Sequence, residues 1–293
     1  MTAAITQSPV IGSVTDIGPQ SWAAVAADRF YSSYDWLRFC EQDASARLRH
    51  IVIRRDGTPS AAVPIHNVDA EPNPCYRWRN ILADAGLPAP AGRYLLLGTR
   101  RGYQSHLLVD RRGGDRRGDV SALVAAAEEL AAAEGMASIA ALYVPTPDAL
   151  DLVHARPGTC PVYLADDAWL ELPGSGFDDY LDGLPAARRR KVCYEERRFA
   201  THRYRVSRTT LANCVDDATR LVAFTEARYQ NAVDTAAIRF SFVRQAAVMG
   251  DAAEVLLLHD RQGVVGFCLY YLYGRSLYLR TVGFDYGRLR NAY

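Results

Sequence analysis

Residues 253–285 read AEVLLLHDRQGVVGFCLYYLYGRSLYLRTVGFD. Three strands follow one another in this stretch. The apolar run 254–259 is closed by Asp260-Arg261-Gln262-Gly263, and 264–272 is the second run. Gly274-Arg275-Ser276 turns the chain into the third, 277–282. Short β-branched and aromatic runs bounded by Gly and Asp make hairpins. The middle run is apolar at both parities, so it is expected to be a central strand buried on both faces.

Working outward, residues 50–68, HIVIRRDGTPSAAVPIHNV, follow the same plan as 255–273: strand, Asp/Gly turn, strand. The first hairpin is 48–54 and 58–68 around Arg55-Asp56-Gly57, an Asp-Gly turn. Each hairpin is followed by a further strand and a similar tail, 93–110 and 277–293. In the first half a helix (119–134, with Asp119 as N-cap and Gly135 as stop) and a strand (138–144) come next. The second half reaches Tyr293 before either, so the repeat predicts either a piece of a longer chain or a second unit lacking that helix and strand. Around these elements the pattern predicts one or two helices over 21–40, with Ser33 as a cap, and a long Pro-rich loop over 69–92. Short strands are expected at 93–97 and 105–109, and a helix at 148–155. A composition shift at 169–177, WLELPGSGF, reads as strand then linker and sets the division into units 1–168 and 169–293. Helices 178–184, 185–200, 211–230 and 236–249 and a strand at 203–209 complete the reading.

A formal net charge of +1 conceals a local surplus: residues 186–208 hold nine Arg or Lys against two Glu. Such polarisation marks a face for an anion. The six cysteines are scattered with no CxxC spacing, which argues against zinc and fits a reducing compartment. No secretory signal or membrane-length apolar run is present, so a cytoplasmic protein without membrane partners is expected.

Helix, hairpin meander, helix, strand is the element order of the GNAT (Gcn5-related) acyltransferases, and two units in tandem resemble the FemAB-like double-GNAT group. Residues 177–199, FDDYLDGLPAARRRKVCYEERRF, are similar to the segment that opens that group's second unit. Residues 280–289, RTVGFDYGRL, are similar to the aromatic V-G-x-D segment after its central hairpin. The resemblance implies a mixed α/β fold and an acyltransferase. Its donor would be acyl-CoA or the thioester of an acyl carrier protein, and its acceptor an amine of a small molecule or peptide, with no metal. The FemAB-like branch implies aminoacyl-tRNA as the alternative donor. The missing helix favours a third reading, a non-catalytic GNAT-like binding protein.

Acyl transfer to an amine needs a hold on the anionic donor, donors for the oxyanion and an outlet for the amine proton. In a GNAT unit, the resemblance implies that backbone groups between splayed strands serve the acyl carbonyl. Asp285 and Tyr286, at the strand exit, are the candidates for the acceptor amine and its proton; the alternative is that Asp285 caps a turn and Tyr286 packs. Arg280 either holds an acceptor carboxylate or pairs on the sheet face. Tyr271 and Tyr273, with Tyr229 and His106, are candidate substrate contacts, against core packing for the strand tyrosines. Arg188, Lys191, Glu195 and Arg198 form one stripe of a helix, widened by Arg189, Arg190 and Arg197. Arg188, Arg189, Lys191 and Arg198 are the candidate donor-phosphate contacts; a solvated face is the alternative. Residues 111–116, RRGGDR, half-match the GNAT phosphate loop.

Overall fold

The computed structural model describes residues 9–43, 47–71, 73–110, 112, 115–202 and 204–289. The chain divides into two compact units, residues 1–164 and 165–293.

In the first unit β1 (Val10–Ile11), α1 (Pro19–Ala26) and α2 (Tyr34–Glu41) precede the hairpin β2 (Leu48–Arg55) and β3 (Thr58–Val68). Then come α3 (Trp78–Asp84), β4 (Tyr94–Leu97), β5 (Leu108–Val109), α4 (Arg116–Ala133), β6 (Ser138–Ala141) and α5 (Thr146–Ala155). Ser33 caps α2 by accepting from the Trp36 N–H. Asp56 and Gly57 both have positive φ, 49° and 79°, as a two-residue turn matched to strand twist requires.

The sheet runs β1-β2-β3-β4-β6, antiparallel except for β4·β6, which is parallel from Tyr94↔Ser138 to Leu97↔Ala141. The long β3 shares its far edge: Ile65–Val68 pair with β4, and Ala61 and Ala62 with β5. Gly98 makes the exit from β4 at φ 109°, where a Cβ would lie 2.3 Å from the Ser105 hydroxyl. The Ser105 N–H then donates to Tyr143 O at 2.9 Å, so residues 105–109 take over the place β4 has vacated. One face of this sheet packs Ile51, Ile53, Val63, Ile65 and Leu95 against Val120, Leu123 and Ala127 of α4. The other carries α1, whose Trp22 meets the His50 ring edge-on.

Three expectations for this unit need correcting. The stretch 69–92 is not one loop: it holds α3, because Tyr76 and Trp78 are apolar enough to be drawn under Tyr94 and Leu96. Asp119 is not the cap of α4. Asp115 is, accepting from the Gly118 N–H at 3.0 Å, one turn earlier. Asp119 is buried and takes the Ser60 hydroxyl at 3.0 Å and Arg55 at 2.9 Å. Strand β5 is shorter than expected, two residues.

The second unit runs α6 (Phe177–Asp182), α7 (Ala186–Thr201), β7 (Arg205–Thr210), α8 (Val215–Arg228) and α9 (Thr235–Met249). It ends in the meander β8 (Glu254–Asp260), β9 (Gly263–Tyr273) and β10 (Ser276–Phe284). Residues 169–172, expected to be a strand, form none; Trp169, Leu170 and Leu172 are exposed. The sheet is antiparallel throughout, in the order β10-β9-β8-β7. Val255, Leu257, Val265, Phe267, Leu269 and Tyr271 are buried on one face, the side of α8 and α9, whose Phe242 meets Phe267 edge-on. At Gly283 the backbone of α8 comes so close that a Cβ would sit 2.6 Å from the Leu221 carbonyl carbon. The opposite face is only partly covered: Leu256, Leu272 and Leu279 are 41%, 56% and 62% exposed, while Tyr270 among them is buried. The central strand is thus covered fully on one face and in part on the other. Among the described residues no helix follows β10.

Candidate functional site

The exit of β10 is built from local backbone chemistry. Arg280 lies at the register shift between Leu279 and Thr281. The Phe284 N–H donates to the Thr225 hydroxyl at 3.1 Å, tying the strand end to α8. The Asp285 N–H donates to Val265 O at 2.8 Å. Its Oδ1 accepts from the N–H groups of Gly287 and Arg288, both at 3.2 Å. Asp285 therefore caps a turn, while no bond occupies its Oδ2 among the described residues. Leu289, buried, anchors the far side of that turn. The Tyr286 ring stands edge-on to Phe284 and lies under the Arg228 guanidinium, 4.1 Å from its centroid.

Beside this turn lies a polar depression of about 530 Å³. The end of α7 and the start of β7 supply Thr201, His202 and Tyr204. The β8–β9 turn supplies Asp260, Arg261 and Gln262, and the segment after β10 supplies Gly287 and Arg288. Arg288 grips Asp260 with two nitrogens, Nε at 3.0 Å from Oδ2 and Nη2 on Oδ1. The Gln262 N–H also donates to Asp260 Oδ1, at 2.7 Å. Partial burial would raise the Asp260 pKa, but the Arg288 and backbone hydrogen bonds hold its carboxyl below the ordinary value.

The other expected residues are dispersed. Tyr271 is a core residue whose hydroxyl accepts from Gln245 Nε2 at 2.6 Å. Tyr273 ends β9, and Tyr229 sits exposed at the C-cap of α8. Neither lines the depression. On α7 no side chain is buried. Arg189 closes the end of α6 through Asp182 (3.5 Å) and the carbonyls of Asp182 and Leu184. Lys191 faces Glu195 at 3.7 Å. Arg188, Arg190 and Arg198 make no ion pair among the described residues.

His106 belongs to the first unit. Its Nδ1 is 3.2 Å from Asp148 Oδ2, and its Nε2 is 3.3 Å from Gln104 Oε1. Asp148 is the hub of that cluster. It also accepts from the Leu107 N–H at 3.1 Å and from Arg116 Nη2 at 2.6 Å. Burial opposes ionisation of Asp148, yet His106 and the facing arginines keep its pKa below the ordinary value. Arg116, the last position of the half-matched phosphate loop, is thereby committed to Asp148 and Asp151. Arg111, Gly113 and Gly114 of that loop lie outside the described residues. In the sequence Asp148 is visible only as an acidic residue in a helix's first turn; nothing local pairs it with His106 across 42 positions.

Among the described residues no group of three or more His, Cys, Asp or Glu is placed to hold a metal ion. No helix among them is long and apolar enough to cross a membrane. No family model and no curated protein sequence matches the chain. Solved structures do. A conserved protein of unknown function from Bacteroides thetaiotaomicron aligns at a TM-score of 0.57 and 13% identity, over 96% of this chain and 81% of that one. FemX aligns at 0.54 and 14% identity, over 92% and 79%. A tandem GNAT protein from the clavulanic acid biosynthesis pathway aligns at 0.49 and 18%, over 97% and 80%. With the element order of the two units, the likeness to FemX shows the fold class: mixed α/β in two units, the fold of FemX. At such identities it fixes the fold and leaves the chemistry to the residues.

Proposed function

We propose that the protein is an N-acyltransferase that moves an acyl group from acyl-CoA or a carrier-bound thioester onto the amine of a small molecule or peptide. The observation that carries this reading is a FemX-like fold whose second unit opens a polar depression at the exit of β10. In the proposed reaction the amine nitrogen attacks the thioester carbonyl, the C–S bond breaks, and the proton lost by nitrogen needs an acceptor. Asp285 Oδ2, beside the depression on a turn fixed by two backbone N–H donors, is suited to hold the incoming ammonium and take that proton. Tyr286, clamped by Arg228, forms the wall beside it. The uncommitted cations Arg188 and Arg198, with the exposed Lys191, are suited to the donor's phosphates.

One observation favours a second donor. A solvent-exposed helix with several unneutralised guanidiniums fits a polyanion, and aminoacyl-tRNA is the polyanion that the FemAB-like resemblance implies. Thermal shift with acetyl-CoA, long-chain acyl-CoA and aminoacyl-tRNA tests both. A true donor at 100 times its Kd adds about 2.7 kcal/mol to the stability of the unit it binds. Thiol release on adding an amine confirms the thioester, and loss of turnover on RNase treatment indicates tRNA. No stabilisation by any donor and no turnover would overturn the reading in favour of a non-catalytic binding protein.

A further inference from the structure

We infer that the depression between the β8–β9 turn and the end of α7 is an anion subsite. The acceptor amine would then also carry a carboxylate or a phosphate. The second half of this inference rests on the acyl-transfer reading; the first does not.

Among the described residues Asp260 is the one carboxylate that lines the depression, and it is consumed by Arg288 and by the Gln262 N–H. Arg288 spends Nε and Nη2 on that pair and keeps Nη1. Arg261 is exposed at the turn and makes no ion pair among the described residues. His202 and Tyr204 meet each other as rings at 5.7 Å, with no hydrogen bond to either polar tip among the described residues. The lining therefore presents the guanidinium of Arg261 and the Nη1 of Arg288 with no carboxylate of the described lining left to receive them.

The C-terminal end of α7 contributes partial negative charge, but only about half an elementary charge, against a full one on Arg261. That half is itself reduced. Phe199 O accepts from the His202 N–H at 3.1 Å, and Arg198 O accepts from the Thr201 hydroxyl at 2.7 Å. An anion is thus the complementary ligand.

The Asp285 turn says which reactant carries it. Gly287 and Arg288 of that turn line the depression. On the proposed reading Asp285 receives the incoming ammonium, so an anion held beside it comes with the acceptor.

The test is calorimetric titration of the whole chain at low salt, without donor, using succinate and inorganic phosphate as probes. At least one should bind. Binding should fall tenfold or more in Arg261→Glu, an exposed turn substitution, and stay unchanged in Arg275→Glu, exposed at the β9–β10 turn. Binding of succinate alone points to an amino-acid-like acceptor, and of phosphate alone to a phosphorylated amine; both support the subsite. Failure of both probes to bind, or equal binding by Arg261→Glu, overturns it. A chain that binds an anion but releases no thiol from acyl-CoA refutes the transferase reading and leaves the subsite standing. A working transferase that binds neither probe refutes the subsite alone.

Discussion

The two sheets start from the same hairpin plan and end in different environments. In the first unit Ile51, Ile53, Val63 and Ile65 meet α4, and His50 on the opposite face meets Trp22 of α1, so both faces are closed. In the second, α8 and α9 close one face, and Leu256, Leu272 and Leu279 stand in solvent on the other. The difference extends to charge. The first unit buries the Arg100–Glu71 pair and the carboxylate of Arg116–Asp148, whereas pairs of the second such as Arg239–Asp216 are exposed. Apolar residues at both parities of a strand record what the strand would gain from cover on each side. They do not record whether an element supplies it.

The largest expected effect comes from cutting equivalent volume out of each sheet. Leu95→Ala, wholly enclosed in the first unit, should cost about 3 kcal/mol. Leu279→Ala, in β10, should stay within about 0.5 kcal/mol. Denaturant unfolding followed by hydrogen exchange in β4 and β9 reads the two separately; equal losses would mean the partly covered face is fully covered in solution.

Next comes the buried charge. Asp148→Asn removes the acceptor shared by Leu107, His106 and Arg116 and should destabilise the first unit by about 2 kcal/mol. Arg239→Ala, on an exposed pair, should be nearly silent.

These contrasts also show what the sequence carried. Hairpins written in local code were legible: Asp56-Gly57 needs positive φ twice, and Ser33 caps the helix it precedes. So were the three strands of residues 253–285. Asp119 misled because Asp115, four residues earlier, competes for the same role, and only the tertiary partners Ser60 and Arg55 decide between them. Trp78 was hidden by surrounding prolines. Of the candidate site, the Asp285 turn was readable from Val-Gly-x-Asp. The depression was not, because His202, Arg261 and Arg288 come together only when strand ends far apart in the chain align.

A smaller effect appears with pH. Glu134 is held at a pKa of about 2, chiefly by its hydrogen bonds to Arg49, against an ordinary value of 4.5. A depressed folded pKa means the stabilisation is complete above the unfolded value and is lost as pH falls toward 2. The first unit should therefore weaken between about pH 5 and pH 2, by about 1 kcal/mol after allowing for solvent screening at this partly exposed pair. Glu134→Gln should flatten that part of the profile. An unchanged acid limb would assign it to other carboxylates.

The smallest change in stability should come from the partly covered face itself, and it is the most informative about the comparison. Leu272→Lys with Leu279→Glu places opposite charges on two strands of an exposed apolar surface, on one face of neighbouring β9 and β10. Little buried area is lost, so the melting temperature should move by no more than about 2 °C. Solvent-exposed leucines on an edge strand and its neighbour nonetheless attract hydrophobic dyes and other chains. Dye binding and self-association should both fall in the double variant. Were the melting temperature to drop steeply instead, those leucines would be packed against something in solution, and the contrast between the two sheets would be one of what covers the face, not of whether it is covered.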